Sequence, residues 1–559
     1  MATKRTKTAS PKTAAYTHES TKTLVRPDAG TQAQFKKRKA PKKYRYDDSL
    51  APQLQWDDQA GRAAGEVLLR QILEAKSLPE AQAAAAALKR LGQPFLDWAG
   101  KAERLSFDVP TLPLFVHERL STRAIIDGLK SHRKQRKQGE FDLWGTPQQT
   151  VTDQVLRAYE HQDGWVNRLI LGDSLVVMNS LLEYEGLGKK VQMIYMDPPY
   201  GVKFGSNFQP FVRKRDVSHN DDEDFTREPE MVQAYRDTWE FGVHSYLTYL
   251  RDRLLVAREL LTPSGSVFVQ ISDENLHRVR AVMDEVFGAE NFVSLIAFKK
   301  TGGLDSGKLP TVCDYLLWYA RSREDLKYHQ LYVDKSALGS SLSSFKYYFD
   351  EKGDVATCRL DDGGNPVAPP GARLFQSIAL TSQGASASTE QAFEFKGRAF
   401  RVAANKHWRL TVPAIHRLAE LGRIIVVGDN VRAVSYLDDF PFGFLNNTWT
   451  DTGSGSFLAQ QSYVVQTVAK VVQRCILMTT DPGDLVLDPT CGSGTTATVA
   501  EHWGRRWLTC DVSRVPLALT RQRLLTATYP WFHLTEQREG PRQGFRYARR
   551  QNRHGDEVG

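Results

Sequence analysis

Two short stretches carry residue types that can do chemistry at the spacing they have. In VQMIYMDPPYG, Val191 to Gly201, a run of apolar and β-branched residues stops abruptly at Asp197, Pro198, Pro199 and Tyr200. A carboxylate with a reference pKa of about 3.9 is ionised at neutral pH and only accepts hydrogen bonds. Two prolines fix the backbone direction and bring no competing N–H. Tyr200 offers a flat aromatic face. Alone, Asp-Pro-Pro-Tyr could also merely end a strand in a simple turn.

The second stretch is DPTCGSGTT, Asp488 to Thr496, between the strand-like DLVL and the helix-like TTATVAEHW. Gly492 and Gly494 permit a tight turn and close approach of a ligand to bare backbone, and the helix start adds amide donors. Asp511 ends the next strand, WLTC, where a carboxylate can accept hydrogen bonds from ribose hydroxyls. The turn lacks the lysine of an NTPase phosphate loop and the third glycine of the dinucleotide pattern. An adenosine-bearing cofactor without a pyrophosphate fits it better.

DPPY followed by DPTCGSGTT, flanked by these strands, resembles the β class of amino-group DNA methyltransferases. In that class the catalytic motif precedes the cofactor motif, with target recognition between them. ILGDSLVVMNSL and RDRLLVARELLTPSGSVFVQISDENLHRVRAVMDEVFGAENFV extend the likeness. The latter is most similar to modification subunits of type III restriction systems. The resemblance covers about 166–320 and 422–525.

It implies S-adenosylmethionine as cofactor and the N6 amino group of a flipped adenine in double-stranded DNA as target. Cytosine N4 needs the same chemistry and is the alternative; the leading aspartate leans to adenine. A DNA-binding relic of the fold, without activity, is a third reading, opposed by the intact motifs. Asp197 and the Pro198 carbonyl would accept the two amino hydrogens and return the nitrogen lone pair from the ring, on a backbone held by Pro199. Tyr200 would stack on the base. Asp488, Pro489, Cys491, Gly492, Ser493 and Gly494 would hold the methionine portion, Asp511 the ribose, and Asp173 would lie near the cofactor's adenine. For Asp173, a helix N-cap is the competing role. The family's lysine-proline pair ahead of the glycine motif is missing its proline here, in YVVQTVAK followed by Val471, which leaves Thr467 and Lys470 open as contacts.

The surrounding sequence alternates strand and helix from about Trp165 to Lys299, lapses, and resumes near residue 456. We therefore expect an α/β fold with a doubly wound, circularly permuted Rossmann-like methyltransferase sheet, an inserted target-recognition region and a helical N-terminal extension. The expected divisions are a basic, disordered arm (1–55), a mainly helical region (56–164), the catalytic half (165–299), the target-recognition insertion (300–455), the cofactor half (456–530) and a basic tail (531–559). FDVPTLPLFVHERL, Phe107 to Leu120, reads as a proline-bearing loop. FKGRAFRVAANKHWRL in the insertion alternates basic and aromatic residues, which suits phosphate contacts.

The net charge of +9 is unevenly placed: residues 1–45 carry 13 Lys and Arg against 2 acidic residues. That arm is a solubilising tail or a polyanion-binding one, and the basic SHRKQRKQG and GFRYARRQNRHG favour nucleic acid. Five scattered cysteines and no H-E-x-x-H pattern predict neither a disulfide framework nor a metal site. No apolar run approaches the roughly 20 residues a membrane span needs, and the N-terminus lacks a secretory pattern, so a cytoplasmic location is expected. A restriction (helicase-nuclease) subunit and a second copy of the chain are the remaining partners to consider.

Overall fold

The computed structural model describes residues 41–45, 67–91, 106–130, 158–200, 242–300, 309–453 and 468–547, with short omissions inside these ranges and a few single positions elsewhere. Two compact units emerge, one of residues 1–329 and 447–546, the other of 330–446 with the last residues of the chain.

The first unit is organised by a nine-stranded sheet. Its elements, in chain order, are β1 (Phe115–Leu120), β2 (Asn167–Leu171), α1 (Ser174–Glu183), β3 (Val191–Met196), α2 (Val243–Leu260), β4 (Leu261–Ile271), α3 (Asp273–Phe287), β5 (Phe292–Lys299), β6 (Cys313–Ala320), β7 (Thr448–Trp449), α4 (Ala469–Thr479), β8 (Leu485–Asp488), α5 (Thr495–His502), β9 (Arg506–Asp511) and α6 (Arg514–Thr526). Across the sheet the order is β7-β5-β6-β4-β3-β8-β9-β2-β1. The central five, β4-β3-β8-β9-β2, are mutually parallel. β6 and β1 run antiparallel against its two sides.

All six residues of β3 are buried, as expected of a parallel strand covered on both faces. Ile194 and Met196 join Val267, Val269 and Leu487 in a core with Leu247, Leu250 and Leu254 of α2 and Val279 and Met283 of α3. Met193 and Tyr195, of the other parity, point away from that core, and α4 to α6 contact the strands there. After β3 the chain continues through α2 to β4; after β8 it continues through α5 to β9, on the other side. The strand order therefore reverses between β3 and β8, where an open α/β sheet binds its ligands.

Several expectations need correction. FDVPTLPLFVHERL is not a loop: Ser106–Val109 and Phe115–Leu120 are strands, with the prolines between them, where no ladder donor is lost. Ser106–Val109 pairs with Lys42–Arg45, so part of the basic arm is ordered. The proposed insertion is narrower than 300–455, because Cys313–Ala320 lies between β4 and β5 in the large sheet and Thr448–Trp449 closes its edge. Nor is 531–559 merely a tail: Trp531 stacks on Tyr159 at 4.6 Å and Phe545 is buried. The basic patch Ser131 to Gly139 lies outside the described residues.

The second unit holds a five-stranded antiparallel sheet in the order 355–357, 347–349, 375–379, 430–436 and 424–427. The aromatics that alternate with basic residues point inward: Phe393, Phe400 and Trp408 form its core with Ile415 and Ile424. Lys396, Arg398, Arg401, Lys406 and Arg409 are exposed, the outward half of the same alternation.

Candidate active site

The two motifs predicted to do chemistry follow β3 and β8, which are hydrogen-bonded neighbours. They meet directly. The Asp197 N–H donates to Thr490 Oγ1 at 2.8 Å, across 293 positions of chain. Asp197 is half-buried, and Pro198 beside it is buried. Asp197 and Thr490 line an open cleft with Tyr195, Val472, Asp488 and the turn Cys491–Ser493.

Backbone and carboxylates shape the glycine turn. Asp488, 4 % exposed, accepts from the Thr490 N–H at 2.9 Å. Gly492 has φ of 49° and donates its N–H to Asp511 Oδ2 at 3.1 Å. The other Asp511 oxygen accepts from Ser513 N–H at 2.9 Å, and the Val512 N–H also bonds this carboxylate. Gly494 ends the turn in left-handed conformation ahead of α5, and a Cβ there would stand 2.3 Å from Thr520 Cγ2. Burial pushes both acids up, to about 6 for Asp488 and about 6 for Asp511, with their hydrogen bonds acting the other way. Pro489 is buried, and the Ser493 hydroxyl lies 3.0 Å from that of Thr495. Burial also raises the Cys491 thiol, so it stays protonated and is no nucleophile.

Asp173 stands apart from the cleft lining. Its Oδ1 caps α1 by accepting from Leu175 N–H at 2.8 Å, and its other oxygen pairs with Arg253. The neighbouring Gly172 N–H bonds the Asp511 carbonyl at 2.9 Å, which keeps Asp173 close to the end of β9. Lys470 is ion-paired with Asp451 at 2.6 Å, while Thr467 lies outside the described residues.

Tyr200 is held by residues that sequence reasoning passed over. Its hydroxyl accepts from the Gln270 amide at 2.6 Å and donates to Asp314 at 3.0 Å. Gln270 in turn accepts from the Tyr195 hydroxyl at 2.6 Å. Lys300 pairs with Asp314 at 2.8 Å and sits 5.3 Å from the Tyr200 ring centroid. The Asn275 amide donates to the Tyr200 carbonyl at 2.7 Å. Burial, with Asp197 and Asp314 nearby, keeps the Tyr200 phenol neutral. The available signal was Gln270 itself: a polar residue in the fully buried SVFVQI strand must find partners.

The family profile for DNA methylase, N6_N4_Mtase, matches residues 191–520, from the first residue of β3 into α6. This chain belongs to the DNA methylase family. The methylase is 27 % identical over 353 residues to the type II methyltransferase M.EcaI of Enterobacter cloacae, covering 62 % of this chain and 67 % of that one. It is 26 % identical over 398 residues to the "Probable type III restriction-modification enzyme HindVI Mod subunit" of Haemophilus influenzae, covering 62 % and 49 %. The EcoPI Mod subunit of Escherichia phage P1 is 28 % identical over 233 residues, 39 % of this chain and 34 % of that one. The methylase thus spans two thirds of the first relative, half of the second and a third of the third. The crystal structure of the M1.HpyAVI–SAM complex aligns over 64 % of the methylase and 98 % of that chain at 11 % identity, with a TM-score of 0.30. Among the described residues no helix is long and apolar enough to cross a membrane, and no cluster of side chains could hold a metal ion.

Proposed function

We propose that this methylase transfers the methyl group of S-adenosylmethionine to N6 of an adenine swung out of duplex DNA. The observation that carries the reading is the hydrogen bond from Asp197 to Thr490, which sets the catalytic motif against the cofactor motif at the reversal of strand order.

The donor set of the cleft suits that cofactor. Asp197 and Asp488 line it, with backbone, hydroxyl and apolar groups, and among the described residues neither lysine nor arginine lines it. A sulfonium and an ammonium are attracted to such a site, and a pyrophosphate is repelled. The Gly492–Gly494 turn and Asp488 would hold the methionine portion, Asp511 the ribose hydroxyls, and Asp173 would stand near the adenine. Bound there, S-adenosylmethionine supplies an electrophilic methyl group on a good leaving group.

The chain's own residues act on the acceptor. Asp197 and the Pro198 carbonyl accept the amino hydrogens, which favours a pyramidal nitrogen with its lone pair free of the ring. Pro199 holds that backbone stretch rigid. Tyr200, locked by Gln270, Asp314 and Asn275, offers its ring to the flipped base. This is positioning and electrostatics, with no covalent enzyme intermediate.

The wider setting is read from the relatives. Those named as Mod subunits of type III restriction-modification enzymes support a modification role and a restriction partner; phage defence and a cytoplasmic location are further parts of the proposal. A homodimer is consistent with such a role. The second unit, with its exposed arginines and lysines, is the proposed target-recognition region. Digesting methylated product DNA to nucleosides tests the reading. N6-methyldeoxyadenosine is expected; N4-methyldeoxycytidine would move the target to cytosine, and no methylated nucleoside would overturn the proposal.

A further inference from the structure

We propose that the Thr490 hydroxyl is the positioning group that keeps the catalytic carboxylate in register with the cofactor turn. The inference rests on the methyltransferase reading and extends it to a residue that the motif roles leave unassigned.

Pairing between β3 and β8 places Val486 opposite Met193 and Leu487 opposite Ile194. Continuing that register past the strand ends brings Thr490 opposite Asp197. The pairing with β3 stops at Leu487, and the Asp488 and Pro489 carbonyls accept from Thr509 Oγ1 at 2.9 Å and Cys510 Sγ at 3.5 Å, on the β9 side. At Asp197 the acceptor is the Thr490 side chain: Oγ1 accepts the Asp197 N–H at 2.8 Å. Its hydroxyl proton is directed at Asp488 Oδ1, 3.2 Å away, the same oxygen that accepts the Thr490 N–H at 2.9 Å.

Donor accounting explains why this contact matters. Pro198 and Pro199 have no N–H, so Asp197 carries the last backbone donor before Tyr200. Tyr200 is tied to β4, β6 and α3 on the far side. Thr490 ties the motif on the cofactor side, through the Asp197 N–H. Removing the hydroxyl takes away the acceptor of the Asp197 N–H, while the turn itself keeps its own hydrogen bonds to Asp488, Cys510 and Asp511. Losing the hydroxyl should therefore harm transfer and spare cofactor binding.

The test compares wild type with Thr490→Val, which keeps the branched shape, and Thr490→Ser, which keeps the hydroxyl. We measure kcat and KM on duplex DNA, and S-adenosylmethionine affinity by calorimetry without DNA. Thr490→Val should lower kcat by about 10- to 100-fold, the scale of a small misplacement of a reacting group, with cofactor affinity within about threefold of wild type. Thr490→Ser should recover most of the lost kcat. The inference is overturned if Thr490→Val keeps kcat within about twofold, if cofactor affinity falls in step with kcat, or if serine fails to rescue a folded protein. A wild-type chain that transfers no methyl group to DNA removes the underlying reading as well, whereas an active wild type with an equally active valine variant removes this inference alone.

Discussion

The Gln270 amide donates to the Tyr200 hydroxyl at 2.6 Å, so the ring that would receive a base is fixed from the middle of the sheet. Gln270 is 2 % exposed and sits on β4, the strand next to the catalytic one. The two roles of Tyr200, ring face and hydrogen-bonded hydroxyl, can be separated. Tyr200→Phe keeps the ring and leaves the Gln270 amide and Asp314 without that partner. Denaturant unfolding should show a loss of about 1–3 kcal/mol, with methyl transfer only modestly reduced. Tyr200→Ala should abolish most transfer, and steady-state kinetics on both variants checks the split.

The two carboxylates proposed to hold the cofactor would make its binding pH-dependent. Burial holds Asp488 and Asp511 at about 6, above the ordinary 3.8. Groups with raised folded pKa values contribute stability that is present below 3.8 and lost as pH rises through about 6. The cofactor-free protein should lose their contribution over that window. A cationic ligand prefers the ionised pair, so S-adenosylmethionine affinity should fall as pH drops below about 6, by up to about tenfold per unit for each carboxylate. Calorimetry in buffers of different ionisation enthalpy should show proton release on binding near pH 6. Affinity independent of pH between 5 and 7 would count against this assignment.

The glycine turn depends on one close approach. Gly494 has φ of 70° and its missing Cβ leaves room for Thr520. Gly494→Ala meets both left-handed strain and a clash, at a combined cost of about 2–5 kcal/mol. Adding Thr520→Ala removes the two closest contacts, at 2.3 and 2.4 Å, leaves the Thr520 Cβ at 2.8 Å, and should restore part of the stability, as read by thermal unfolding. If the second substitution gives no recovery, the contact is not what excludes a side chain there.

A buried ion pair ties the segment before the methylase match to the sheet domain. Lys101 and Glu285 approach to 2.7 Å with side chains 3 % and 8 % exposed, and the Trp98 indole donates to Thr248 at 2.9 Å. Lys101→Met alone leaves a buried carboxylate and should cost about 3–5 kcal/mol, whereas Lys101→Met with Glu285→Leu should cost much less. Equal losses in the single and double variants would mean that the pair is not coupled.

The places of the two motifs at strand mouths were legible in the sequence because each breaks a strong local pattern. Apolar runs ending in Asp-Pro-Pro-Tyr and Asp-Pro-Thr-Cys-Gly mark strand mouths, and the order of strands and helices around them marks a doubly wound sheet. Partners from distant strands were not legible. Nothing local says that Asp314 or Lys300 will meet Tyr200, because that depends on β6 returning antiparallel beside β4. Short strands also escaped: Ser106–Val109 is four residues long, and prolines beside it imitate a loop. In 393–408 the period of two was visible, but it served the core of the second unit through Phe393, Phe400 and Trp408.

The most direct test of the central claim is labelled methyl transfer from S-adenosylmethionine to duplex DNA by wild type and Asp197→Ala, with cofactor affinity measured alongside. Removing the acceptor while sparing the glycine turn should cut the transfer rate by about 1,000-fold or more, with cofactor affinity within about threefold. An Asp197→Ala protein that methylates DNA within about tenfold of wild type would contradict the account.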